Sequence, residues 1–62
     1  MTLEQLQIEI TRQIVARREV RLPCNHAFIS QQVWVALGYP TEYAGVDIVS
    51  TVFLAPTQVL VT

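Results

Sequence analysis

Cys24 is the only cysteine of this 62-residue chain, and His26 is its only histidine. A single cysteine excludes an internal disulfide, and a structural zinc site needs four ligands, which this pair alone does not supply. A domain of this size buries so little surface that hydrophobic burial and conformational entropy nearly cancel. We therefore expect one small domain, residues 1–62, that depends on its core and on a partner.

Hydrophobic residues make up 52% of the chain, a high share for a domain with so much surface for its volume. We expect part of this apolar surface to meet another chain, either a second copy or a larger protein. The net charge is −1 and lysine is absent. The chain as a whole therefore lacks the positive charge of a polyanion-binding protein.

The compartment is predicted from the thiol and from the hydropathy pattern. No basic segment precedes an apolar stretch near the N-terminus, so no signal peptide is predicted. The longest uninterrupted apolar run, Val33 to Leu37, is far shorter than a membrane span. A free thiol is typical of a reducing compartment. These features predict a cytoplasmic protein without a membrane segment.

The first helix is predicted over residues 3–18. Thr2 and Gln5 have the spacing of a capping box. Apolar spacing of three and four residues gives the helix one stripe, Leu3, Leu6, Ile10, Ile14 and the aliphatic part of Arg17. Ile8 and Val15 form a second apolar line on the opposite side, which predicts a helix that is covered on both sides or lies between subunits.

A second helix is predicted over residues 26–37, with Asn25 as its N-cap. Its end is strongly marked, because Gly38 suits the left-handed position and Tyr39 and Pro40 follow. The start is open, since Ser30 would cap a shorter helix. Residues 20–22, before Pro23, alternate like a short edge strand or an extended connector.

The C-terminal part of the chain is rich in β-branched residues. Residues 46–54 and 58–62 are predicted to be strands, and Ala55-Pro56-Thr57 is short enough for a turn between them. Residues 41–45 read as a loop. The predicted fold is α+β, with two helices followed by an antiparallel β-hairpin (α-α-β-β) and an extra edge strand at 20–22 as an open alternative.

The segment LPCNHAF, residues 22–28, admits three interpretations. Cys24 and His26 could bind a metal with Asp47, or form a nucleophile and its base, but nothing marks further ligands or an oxyanion site. We favour the third interpretation, a buried cysteine at the start of a helix. No catalytic residue, metal site or cofactor is predicted, so we do not expect an enzyme.

Arg17, Arg18 and Arg21 cluster within five positions. They fit a solvated helix end, and they would also suit a phosphate or an acidic partner surface. Residues 30–32, Ser-Gln-Gln, could read base edges if the second helix belonged to a helix-turn-helix. The negative net charge argues against this DNA-binding regulator, which stays the alternative function.

Interaction with another protein is the function that the sequence favours. Phe28 and Phe53 are expected in the core. The strand at 58–62 is uncharged and predicted to leave an open edge for intermolecular contacts. We expect a non-enzymatic regulatory or interaction module, a class that includes inhibitors and accessory proteins of phages and mobile elements. The predicted partner contacts are Ile8, Val15, Arg17, Arg18, Arg21, Trp34, Tyr43, Val59, Leu60 and Val61.

Overall fold

The computed structural model describes all 62 residues. The chain forms a small α+β fold, so the fold class is confirmed in this general form. Two helices and four strands follow one another in the order α1 (Leu3–Glu19), β1 (His26–Ser30), α2 (Gln31–Ala36), β2 (Glu42–Tyr43), β3 (Val46–Thr51) and β4 (Val59–Val61).

Helix α1 begins where the sequence predicts, because its capping box forms. The Gln5 backbone N–H donates to Thr2 Oγ1 over 3.1 Å, and the Thr2 backbone N–H donates to Gln5 Oε1 over 2.8 Å. These bonds satisfy backbone donors that a helix start leaves without a partner. The helix continues to Glu19, one residue beyond the prediction.

The alternative of an extra strand at 20–22 is wrong, because this segment terminates α1. The N–H groups of Arg21 and Leu22 donate to the carbonyls of Arg18 and Arg17 over 3.1 and 2.9 Å, which is the Schellman pattern. Arg21 has a φ of 59°, in the left-handed region that glycine usually occupies at this position. These N–H groups bond to the helix end and are not available to a sheet.

The predicted helix over 26–37 is wrong in its first half. His26–Ser30 forms strand β1, and α2 begins at Gln31 with Ser30 as its N-cap. Ser30 Oγ accepts from the Gln32 N–H over 3.2 Å, so the shorter helix is the one that forms. Apolar residues in so short a stretch fit both periods. The strand is favoured because β1 hydrogen-bonds to a strand on each side.

The end of α2 is confirmed. Gly38 has a φ of 81°, and the N–H groups of Gly38 and Tyr39 donate to the carbonyls of Val35 and Trp34 over 3.2 and 3.0 Å. The rings of Trp34 and Tyr39 meet edge to face with centroids 4.8 Å apart. This is the hydrophobic contact that accompanies a Schellman motif. Trp34 Nε1 also donates to the Pro40 carbonyl over 3.0 Å.

The predicted C-terminal hairpin is wrong. The strand order is β2-β3-β1-β4, so β1 lies between the two strands that the sequence pairs. β1 is parallel to β3 and antiparallel to β4. Residues 52–58 cross the end of β1 instead of forming a tight turn. Strand β1 presents hydrogen-bonding groups on both edges, and pairing both strands with it satisfies those groups.

A tight hairpin forms at residues 42–47, most of which the sequence predicts to be a loop. Tyr43 of β2 pairs with Val46 of β3, and only Ala44 and Gly45 lie between them. Their φ angles are 54° and 79°. Two consecutive positive φ angles are the property of a type I′ turn, whose twist matches that of the flanking strands.

Both helices pack on the same face of the sheet. Along the strands, Ala27, Ile48 and Val61 share a row, and they point towards α1 and α2. One core results, which contains Leu6, Ile10, Ile14, Ala27, Ile29, Val33, Val46 and Val61. No helix packs on the opposite face, which is called the outer face below.

Candidate interaction surface

An apolar row crosses the middle of the outer face. Phe28 of β1 pairs with Val49 on one side and with Leu60 on the other, so these three side chains lie next to each other. Phe28 and Val49 are half-buried, and Leu60 is 50% exposed. Antiparallel sheets commonly leave one face to water, but that face is then polar. The middle of this face is apolar, and no helix covers it.

The segment after β3 extends this apolar surface. Val52 is 73% exposed and Phe53 is 91% exposed. The prediction that Phe53 lies in the core is therefore wrong. β3 ends at Thr51, and the Phe53 N–H donates to Thr51 Oγ1 over 3.2 Å, so the chain turns away from the sheet before Phe53 is reached.

A groove runs between the apolar row and this segment. Its volume is about 230 Å³, and it is lined by Phe28, Thr51, Phe53, Leu54 and Leu60. The volume is below the roughly 300–1,000 Å³ of small-molecule sites. The groove is therefore of a size for one large side chain and not for a cofactor.

The outer face carries very little charge. No residue from Ile48 to Thr62 is charged. The charged residues of this face are Asp47 of β3 and its cross-strand neighbour Glu42 of β2; Asp47 also pairs with the exposed His26, at the end of the face distant from the groove. An apolar centre with a polar margin is the usual layout of a protein–protein contact surface.

The edge of β4 is closed, contrary to the prediction that it lies open. Gln13 of α1 places its side-chain amide along this edge: its Nε2 donates to the Val59 carbonyl over 2.6 Å, and its Oε1 accepts from the Val61 N–H over 2.9 Å. The amide thus occupies the groups that an incoming strand would use. The sequence does not reveal this closed edge, because Gln13 is 46 and 48 residues away from its two partners in β4.

Glu9 holds the Gln13 amide in this orientation. Gln13 Nε2 donates its second hydrogen to Glu9 Oε1 over 3.0 Å, and Arg12 forms an ion pair with the same carboxylate. The hydrogen bond from Arg12 lowers the pKa of the Glu9 carboxyl below its usual value, and the bond from Gln13 acts in the same direction. The carboxylate is therefore the form that supports the closed edge.

The predicted partner contacts are distributed over several parts of the molecule. Leu60 lies on the outer face. Ile8 and Val15 are 60% and 51% exposed, but on the side of α1 that points away from the sheet, so they cannot cover it. Val61 is a core residue, 1% exposed. Three of the predicted contacts, Trp34, Tyr43 and Val59, are half-buried and pack against the core.

The arginine cluster lies at one end of β1 and the polar start of α2 at the other. Arg17 Nε donates to the Pro23 carbonyl over 2.9 Å and fixes the chain before β1, while Arg18 and Arg21 are exposed. Gln31 follows the other end of β1, and the five residues of this strand rise about 3.3 Å each, so the strand separates the two groups. A strand separates the two helices, so they do not form a helix-turn-helix. DNA binding itself stays an untested prediction.

The segment LPCNHAF begins a strand and not a helix. The Asn25 N–H donates to the Thr62 carbonyl over 2.7 Å, and the Asn25 carbonyl accepts from the Asp47 N–H over 3.1 Å, so Asn25 belongs to the sheet and is not a helix cap. Cys24 is half-buried, and its Sγ lies 4.0 Å from the Leu22 carbonyl as its hydrogen-bond partner. No group of three or more histidine, cysteine, aspartate or glutamate side chains could hold a metal ion.

Comparisons with protein-family models, with curated proteins and with solved structures gave no match to this chain. Neither helix combines the length and the apolar character that a membrane span requires.

The outer face contains residues that sequence reasoning did not assign to a surface. The prediction that Phe28 lies in the core is wrong, as it is for Phe53, because Phe28 lies on the face opposite the core residue Ala27. The alternation of residues 46–54 places Val49 and Phe53 on one side and Leu54 on the other, but it does not show which side stays uncovered. Residues 26–30 show no alternation of polarity that would mark a strand, because Ala27, Phe28 and Ile29 are all apolar.

Proposed function

We propose that this protein is a non-enzymatic protein–protein interaction module that docks on its partner through the outer face of the sheet. The observation that carries the proposal is the uncovered apolar surface formed by Phe28, Val49, Leu60 and Phe53. Full burial of one such side chain is worth about 1.5–3 kcal/mol. Phe53, at 91% exposure, still has nearly all of that free energy to gain in a complex.

The shape of this surface supports a protein partner over a small ligand. Its groove is shallow and small, and the surrounding residues are apolar and uncharged. Large aromatic side chains at the centre of such a surface are the residues that dominate binding free energy in protein complexes. A regulator or accessory protein needs only such a surface, and a chain of this size has room for it.

The free thiol supports the compartment that we propose. Cys24 has no cysteine partner. Its hydrogen-bond partner is the Leu22 carbonyl and not the His26 imidazole, so this arrangement does not supply an activated nucleophile. We propose that the protein works in a reducing compartment such as the cytoplasm.

Leu60→Lys tests the proposal. Leu60 is half exposed on the outer face, so a lysine there leaves the core intact but places a charge in the docking surface. We expect binding to weaken about 30-fold or more, the effect of losing a central contact residue. Sedimentation velocity and co-purification from lysate measure the assembly state and the bound partners.

Ile8→Lys is the matched control. Ile8 is 60% exposed on the far side of α1, and the substitution changes the net charge by the same amount. We expect it to leave the assembly and the bound partners unchanged. A wild-type protein that is a stable monomer without a recovered partner, or a Leu60→Lys variant that keeps its partners, would refute the proposal.

A further inference from the structure

Phe53 stands at the rim of the groove that it helps to line, and 91% of its surface is exposed. Its ring is therefore free to enter another molecule. We propose that two copies of this chain form a two-fold dimer in which Phe53 of each copy fills the groove of the other. This inference rests on the proposed function, and it names the partner as a second copy.

The lack of charge favours a second copy. In a two-fold contact the same patch meets itself, so a charge near the axis faces an equal charge. The groove and the segment beside it contain no charged residue, since none occurs from Ile48 to Thr62. His26, Asp47 and Glu42 lie at the other end of the face, at the margin of the contact, where they stay hydrated.

The reciprocal arrangement matches the groove to its occupant. A volume of about 230 Å³ suits one large side chain, and each copy has one nearly fully exposed aromatic ring at the correct edge. In the dimer, each of the two Phe53 rings is buried in one of the two grooves. The half-exposed Leu60 and the half-buried Phe28 line each groove and supply its apolar wall.

The sheet edges direct the copies to meet face to face. Gln13 occupies the Val59 carbonyl and the Val61 N–H, so β4 cannot add a strand. On the other side, β2 pairs with the start of β3, and the Ile48 N–H donates to the Thr41 carbonyl. β2 pairs only with Val46 and Asp47, so the edge of β3 from residue 49 to residue 51 has no neighbouring strand. Strand addition, the usual alternative for a small sheet, is limited to this short stretch.

The available area predicts a weak dimer. A standard interface takes about 800 Å² from each partner, roughly a fifth of the 4178 Å² surface of this chain. An aromatic side chain contributes roughly 150–250 Å², so Phe53 alone supplies about a quarter of that area. The rest must come from Val52, Leu60 and the parts of the row that are still exposed. We expect a dissociation constant on the order of micromolar or weaker.

Sedimentation equilibrium over roughly 1 µM to 1 mM tests the dimer. The wild type is expected to dimerise within this range. Phe53→Glu is expected to raise the dissociation constant at least 30-fold, since each substitution occurs twice in the contact. Phe53→Gln, which lacks the added charge, is expected to weaken the dimer as well, because it removes the ring. Circular dichroism verifies that the variants fold.

Ile8→Glu is the control, because it adds the same charge at an exposed apolar residue of α1. It is expected to leave the dissociation constant unchanged. A wild type that stays monomeric to 1 mM overturns the dimer. The proposed function still stands if that monomer binds a different protein and Leu60→Lys abolishes the binding. If Ile8→Glu disrupts the dimer and Phe53→Glu does not, the contact lies on α1. That result overturns both the inference and the proposed function.

Discussion

Replacing Gln13 by alanine removes the side chain that closes the β4 edge. The amide makes two hydrogen bonds to β4, one to the Val59 carbonyl and one from the Val61 N–H. A hydrogen bond within a protein is worth about 1 kcal/mol net, and water replaces part of it at an edge. We therefore expect Gln13→Ala to lower the free energy of unfolding by about 1–2 kcal/mol.

That loss is large for this chain. A domain with 62 residues has a free energy of unfolding of roughly 3–9 kcal/mol. A change of 1 kcal/mol shifts the melting temperature of so small a domain by about 4–8 °C. Thermal and urea denaturation followed by circular dichroism would measure the change. The variant also exposes an uncharged strand edge, so we expect light scattering to detect aggregation that the wild type does not show.

Gln7→Ala is the matched control for this experiment. Gln7 lies in the same helix, so Gln7→Ala changes the helix propensity by the same amount as Gln13→Ala. The Gln7 side chain makes no hydrogen bond, so this variant loses no contact to β4. We expect its melting temperature to be at or slightly above that of the wild type. If Gln13→Ala were as stable as Gln7→Ala, the Gln13 amide would not stabilise the edge, and the argument for face-to-face assembly would lose its support.

Two further predictions concern the turn and the ion pair. Ala44→Asn is expected to raise the free energy of unfolding by about 0.5–1 kcal/mol, because asparagine tolerates the left-handed φ of 54° better than alanine. The loop residue Ala55 serves as the control, and a lower melting temperature for Ala44→Asn than for Ala55→Asn would contradict the assignment. The lowered pKa of Glu9 means that its charge stabilises the fold above the unfolded value near 4.5, and that this contribution is lost as the pH falls through the folded value. In denaturation at pH 3 to 7, Glu9→Gln should show a smaller loss of stability on acidification than the wild type, and equal slopes would disprove the linkage.

Local signals in the sequence determine both ends of α1 and the end of α2. The capping box of Thr2 and Gln5 and the left-handed Gly38 act over a few residues, so their geometry follows from the residue types alone. The apolar stripe of α1 likewise determines which side of that helix is buried. For the same reason the α+β class was predictable, because β-branched residues dominate the chain after Gly45.

Tertiary structure decided the conformation of residues 26–30 and the order of the strands. Three adjacent apolar residues within a five-residue segment fit a helix or a strand. Only hydrogen bonds to β3 and β4, which are distant in sequence, select the strand. The location of the apolar surface follows from that choice, since Phe28 and Leu60 become neighbours only when β1 and β4 pair. Closure of the β4 edge by Gln13 also depends on a contact between distant parts of the chain. No local pattern encodes it, because the partners of a side-chain amide are fixed only once α1 has packed against the sheet.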